Sequence, residues 1–179
     1  MSLVFYLFLA LIVGLLAVLY FVFASFAWGA GYQPTPRRSV EAMFRLARIG
    51  PEDTVYDLGA GTGAVILRAA RDHGARAVGV EVEPLRVLIL RLRRRWSPAR
   101  ERIVIHWGNL FDLDFRPATV VAVFLWPEAM HRLRPIFEAQ LRPGARLVSH
   151  YHLLPGYLPT ESDPDAKVYL YRWPPTPAP

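Results

Sequence analysis

The stretch Asp57-Leu58-Gly59-Ala60-Gly61-Thr62-Gly63 constrains this chain more than any other, because three glycines follow directly on a short apolar run. Residues 54–58 read as a buried strand and residues 64–72 as a helix. Glycines let the backbone turn tightly and approach a ligand, and the helix start offers free N–H groups. A second strand, residues 77–81, ends in Glu81 about twenty residues past the loop. A carboxylate at that strand tip can accept both hydroxyls of a ribose. Loop and carboxylate together describe a nucleoside-cofactor site.

The rest of the chain extends this strand–helix–strand unit. A helix is expected over residues 37–49, with Val40, Met43, Phe44 and Ala47 on one face. Pro84 opens another, in which Leu85, Leu88, Leu92 and Trp96 make an apolar stripe. Residues 102–106 read as a third strand. Residues 120–125 form a continuous apolar run, typical of a strand buried on both faces. A helix from Pro127 to about residue 141, a strand over 145–149 and a β-rich segment over 167–173 follow, the last expected to close the sheet. The alternation predicts an α/β, Rossmann-like sandwich with a mostly parallel sheet.

The first 36 residues carry no charge, and residues 3–28 are nearly all apolar. About 20 apolar residues span a bilayer, so this segment is long enough with some tilt. A cleaved signal peptide is the rival, opposed by the missing basic n-region and the length of the apolar core. The expected layout is a transmembrane anchor over 1–30, a linker over 31–36, a domain over 37–173 and a disordered tail over 174–179. Arg37, Arg38 and Arg45 follow the span and nothing basic precedes it. The positive-inside rule therefore predicts a single-pass protein of the cell membrane with its domain on the cytoplasmic side.

No cysteine is present, which excludes disulfides, thiolate metal sites and a cysteine nucleophile. No histidines and carboxylates have metal-ligand spacing, so no metal is expected. Of 21 basic residues only Lys167 is a lysine. The run Arg86, Arg91, Arg93, Arg94, Arg95, Arg100 and Arg102 is either a solvated face or a surface for an anionic partner. Beside an anchor, anionic lipid headgroups are the expected partner, at about 1 kcal/mol per arginine. No aromatic-rich RNA motif accompanies the arginines, so no nucleic acid is expected.

Residues 59–64 also satisfy the loose G-x-G-x-x-G/A pattern of dinucleotide enzymes. Three features favour S-adenosylmethionine, which has no phosphate and carries a cationic sulfonium. Asp57 stands two places before the first glycine, where it would repel pyrophosphate. Asn109 follows the third strand, where its amide can reach an adenine edge. The chain ends in a β-rich segment after the fifth strand instead of a substrate domain.

These residues resemble the class I S-adenosylmethionine-dependent methyltransferases, and within them the small, often membrane-anchored protein-lysine methyltransferases of archaea and mitochondria with their bacterial relatives. The likeness rests on residues 32–36 (Tyr-Gln-Pro-Thr-Pro), 57–63, 79–84, 124–127, 141–150 and 168–172. The family usually has serine at Ala60, an acid at Thr62, arginine at Ala64, asparagine at Glu83 and an acid at Asn109 and Tyr151. The resemblance implies in-line methyl transfer to a protein lysine, with a neighbouring membrane complex as the expected source of that lysine. Asp57, Gly59, Gly61, Gly63, Glu81 and Asn109 would bind the cofactor. Tyr32, Thr35 and Trp126 are the candidate catalytic residues, with Glu83 and His150 near the same strand tips. Two alternatives stay open: a non-catalytic accessory subunit of a membrane complex, and a lipid or small-molecule methyltransferase.

Overall fold

The computed structural model describes residues 3–27 and 33–179, which fall into two compact units, Met1–Gln33 and Pro34–Pro179. In the first, α1 (Leu3–Ala27) is a 25-residue helix without a charged side chain. Its stretch Leu3–Tyr20 has a mean hydropathy of 2.8 and is exposed throughout. By length and composition it can cross a bilayer.

The second unit begins with α2 (Arg37–Ala47), whose Val40, Met43, Phe44 and Ala47 are buried as their helical spacing requires. Next come β1 (Thr54–Leu58), α3 (Ala64–His73), β2 (Arg76–Glu81), α4 (Pro84–Arg95), β3 (Ile103–Trp107) and β4 (Val120–Val123). The chain continues through α5 (Pro127–Gln140), β5 (Arg146–His150), β6 (Tyr157–Leu158), β7 (Glu161–Asp163), β8 (Val168–Arg172) and β9 (Thr176–Pro177). Seven strands form one sheet in the order β3-β2-β1-β4-β5-β8-β7, with β3 through β5 parallel and β8 and β7 antiparallel.

Successive strand residues point to opposite faces, so each face carries its own core. Val55, Ala77, Ile103 and Val120 pack with Ile66 and Leu90 under α2, α3 and α4. Tyr56, Leu58, Val121 and Leu147 pack with Leu133 and Phe137 of α5 on the other side. Every residue of β4 is buried, as a strand covered on both faces must be. The strand order reverses between β1 and β4, and a crevice opens beyond their C-terminal ends at such a switch.

The α4 stripe acquires a direction, and two expectations are corrected. In α4 the buried residues are Arg86, Val87 and Leu90, so Leu88, Leu92 and Trp96 lie outward. The segment over 167–173 is not the closing strand: β8 lies between β5 and an edge strand, β7, whose polar sequence Glu-Ser-Asp carries no apolar alternation. The tail is tied down, because β9 pairs with β6 and Ala178 N–H donates to the Gly156 carbonyl at 2.9 Å.

Candidate cofactor and acceptor site

Glu81 holds the glycine loop to the tip of β2. Its Oε2 accepts the Gly61 N–H at 2.8 Å, and its Oε1 accepts the N–H groups of Val82 and Glu83 at 3.0 Å each. The Arg86 guanidinium lies 3.9 Å from the same carboxylate, which is 5% exposed. Behind it, Gly59 and Ala60 donate to the Val80 carbonyl at 3.0 and 2.8 Å. Gly59, Gly61 and Gly63 all have positive φ, at 80°, 54° and 90°, so the turn depends on residues without a Cβ. At Gly63, the cap of α3, a Cβ would also collide with Leu90 Cδ1. A carboxylate oxygen takes more than one hydrogen bond, so the Gly61 N–H does not exhaust the capacity of Oε2. That oxygen can still accept a ribose hydroxyl.

Asp57 lies at the end of β1 and is 7% exposed. Burial, and then the charge of Glu81, push its pKa up to about 7. A buried carboxylate without compensation attracts a cation. This fits S-adenosylmethionine, which brings an ammonium and a sulfonium but no phosphate; a pyrophosphate would face both Asp57 and Glu81. Asn109 follows β3, and its loop is tied to the site by Gly108 N–H donating to the Glu81 carbonyl at 3.0 Å. The Asn109 Oδ1 accepts the Phe111 N–H at 3.2 Å, and its exposed amide leaves capacity for an adenine edge.

The candidate catalytic residues separate. Tyr32 lies outside the described residues. Thr35 lines an open cleft of about 810 Å³ together with Gly63, Ala64, Leu67, Arg93 and Trp96, and so stands beside the loop on its helix side. Asp57, Glu81 and Asn109 lie outside that lining. Glu83 is 1% exposed and caps α4, accepting from Leu85 N–H at 3.0 Å and Arg86 N–H at 2.7 Å. Both of its carboxylate oxygens accept backbone N–H groups at the start of α4. Pro84 after an acidic residue is the cap signal that identifies it.

Trp126, 53% exposed, follows β4 and caps α5. The structure groups it with side chains that sequence spacing did not. The His152 ring lies 6.0 Å from Trp126 and 5.0 Å from Tyr151. His150 ends β5, packs on Phe124 at 4.4 Å, and its Nδ1 lies 3.2 Å from the Lys167 carbonyl. A carbonyl only accepts, so Nδ1 carries the proton and Nε2 keeps its lone pair. Burial holds the His150 pKa below its ordinary value, and the ring is neutral near pH 7. Tyr151, at φ 72°, is turned outward, and the Lys167 ammonium stands 4.4 Å over its ring. The ends of β4 and β5 therefore present an aromatic rim that a chain's aliphatic amine can enter.

The family model described as the ANTKMT methyltransferase domain matches residues 57–161. A protein-lysine N-methyltransferase of Saccharolobus islandicus is 38% identical over 149 residues, covering 78% of this chain and 91% of that protein. The Mus musculus adenine nucleotide translocase lysine N-methyltransferase is 34% identical over 129 residues, covering 72% of this chain and 56% of that protein. Among solved structures, a Salinibacter ruber protein described as an RNA methyltransferase, in complex with S-adenosyl-L-homocysteine, aligns with a TM-score of 0.74 at 37% identity, over 82% of this chain and 95% of that one. With Glu81 clasping the glycine loop and this likeness along most of its length, the chain belongs to the ANTKMT methyltransferase-domain family and is a class I S-adenosylmethionine-dependent methyltransferase.

Proposed function

We propose that this chain is a membrane-anchored protein-lysine N-methyltransferase acting on a membrane-associated protein, with α1 as a single-pass anchor of the cell membrane and the domain on the cytoplasmic side. The observation that carries the acceptor class is the match, over 91% of its length, to a relative named for protein-lysine methylation. The uncharged α1 followed by Arg37 and Arg38 supports the anchor.

S-adenosylmethionine supplies an activated methyl group, so the protein's task is alignment in a dry site. In this reading Glu81 takes the ribose, Asn109 the adenine edge and Asp57 the ammonium, with Gly59, Gly61 and Gly63 passing along the methionine portion. A lysine has an ordinary pKa of about 10.4 and attacks only when neutral. The rim of Trp126, Tyr151 and His152 excludes water from the amine, which favours its neutral form. Tyr32 and Thr35, which precede α2 in the sequence, are the positioning candidates, and the His150 Nε2 lone pair is the acceptor for the proton released.

Methyl-labelled cofactor added to whole membranes tests the reading. Label on a protein band, with a 14 Da increment on a lysine peptide that disappears in a deletion strain, is the expected result. Label in the lipid extract or in RNA would replace this acceptor class. No label, with the chain recovered stoichiometrically in a membrane assembly, would leave an accessory subunit.

A further inference from the structure

We infer that the outward face of α4 is a second membrane contact, seating Leu88, Leu92 and Trp96 among the headgroups of an anionic bilayer. The choice of lipid rests on the membrane-anchored reading above. The three side chains recur every four residues, which puts them on one helix face. They are 54%, 42% and 75% exposed, although the core takes Arg86, Val87 and Leu90 from the same helix. An apolar row this exposed in a domain that buries its other helices' apolar faces marks a contact surface.

Charge identifies the occupant. The sequence of α4 contains five arginines and no acidic residue. Arg91 and Arg95 lie exposed one turn from Leu88 and Leu92, flanking the row. Arg93 and Arg94 hydrogen-bond to the backbone carbonyls of Thr62 and Ile103, at 2.6 and 2.8 Å, and keep their charge unneutralised. By contrast, Arg68 and Arg71, which line one cleft with Arg93 and Trp96, pair with Glu41 and Asp72. At the head of the helix Trp107 is 59% exposed, and its indole N–H is already satisfied by the Val82 carbonyl at 3.0 Å. An indole, two leucines and flanking arginines on one helix face are the composition of an interfacial helix. A single-stranded nucleic-acid platform uses successive aromatic rings for stacking, and Leu88 and Leu92 supply none.

Because the chain has no cysteine, Leu92→Cys accepts a single nitroxide label in the full-length protein. Ala139→Cys on the exposed side of α5, in the opposite layer, is the reference position. The labelled proteins are placed in bilayers of phosphatidylcholine with and without phosphatidylglycerol, and collisions with oxygen and a water-soluble nickel chelate are compared. The expected result is a label at position 92 open to oxygen and shielded from nickel in the anionic bilayer, and water-exposed at position 139. Arg91→Glu with Arg95→Glu should lower that shielded fraction about tenfold or more. A nickel-accessible label at 92 in anionic bilayers overturns the inference. So does shielding from both reagents, which means a protein cover such as a second copy, or shielding produced by added RNA and not by lipid. An unchanged melting temperature for Leu92→Cys excludes misfolding. Release of the wild-type chain from membranes by alkaline carbonate would defeat the α1 anchor alone, since the label on added anionic vesicles still decides the α4 face.

Discussion

If Asp57 takes the cofactor's ammonium, as proposed, cofactor binding should depend on pH. Its pKa of about 7 lies above the ordinary ~3.9, so the fold favours the neutral acid. Between those two values the folded chain holds a proton the unfolded chain has lost, and stability falls as pH rises until about 7. A bound ammonium reverses the preference by stabilising the carboxylate. Calorimetry should therefore show cofactor affinity rising through pH 7, by about tenfold per pH unit below it, with a proton released on binding. Asp57→Asn should flatten that profile and stabilise the cofactor-free protein at pH 8. Glu81→Gln places an amide among three backbone donors and should weaken cofactor binding by roughly 10–100-fold, read in the same titration. Both carboxylates stand out in the sequence because a glycine loop and a strand end flag them. The grouping of Trp126 with Tyr151 and His152 does not, because it is assembled across strands whose pairing the sequence leaves unstated.

At the scale of elements, two devices hold the sheet at its opposite ends. At the glycine loop, the cap of α3 touches α4, and Gly63→Ala meets both a positive φ and the Leu90 side chain. It should lower stability by about 2–4 kcal/mol in urea denaturation, with weaker cofactor binding as a consequence. At the other end, Asp53 accepts from Gly50 N–H at 2.9 Å and Thr119 Oγ1 at 2.7 Å and pairs with Arg146, which also donates to the Ala47 carbonyl at 2.6 Å. Asp53→Ala strands that arginine and should cost about 2–4 kcal/mol while leaving cofactor affinity unchanged. Strands and helices with strong periodicity were legible: α2 buries the face its spacing predicts. The α4 stripe was legible as a stripe but its direction was not, because the Glu81 and Glu83 carboxylates draw Arg86 inward and turn the apolar row out. The short polar β7 was invisible for lack of alternation.

For the whole molecule, the anchor reading gives a direct expectation. The full-length chain should stay in the membrane pellet after alkaline carbonate extraction, and protease added from the cytoplasmic side should cut the domain away as a fragment starting near Arg37. Recovery in the soluble fraction would remove the anchor while leaving the methyltransferase domain as described. The ammonium poised over Tyr151 carries a practical consequence. Lys167 is the sole lysine among 179 residues, so the enzyme offers its own active centre a single side-chain amine. Any lysine self-methylation in a radiometric assay must map to that one position, and Lys167→Arg yields a reagent without lysine background against which to hunt for the true acceptor.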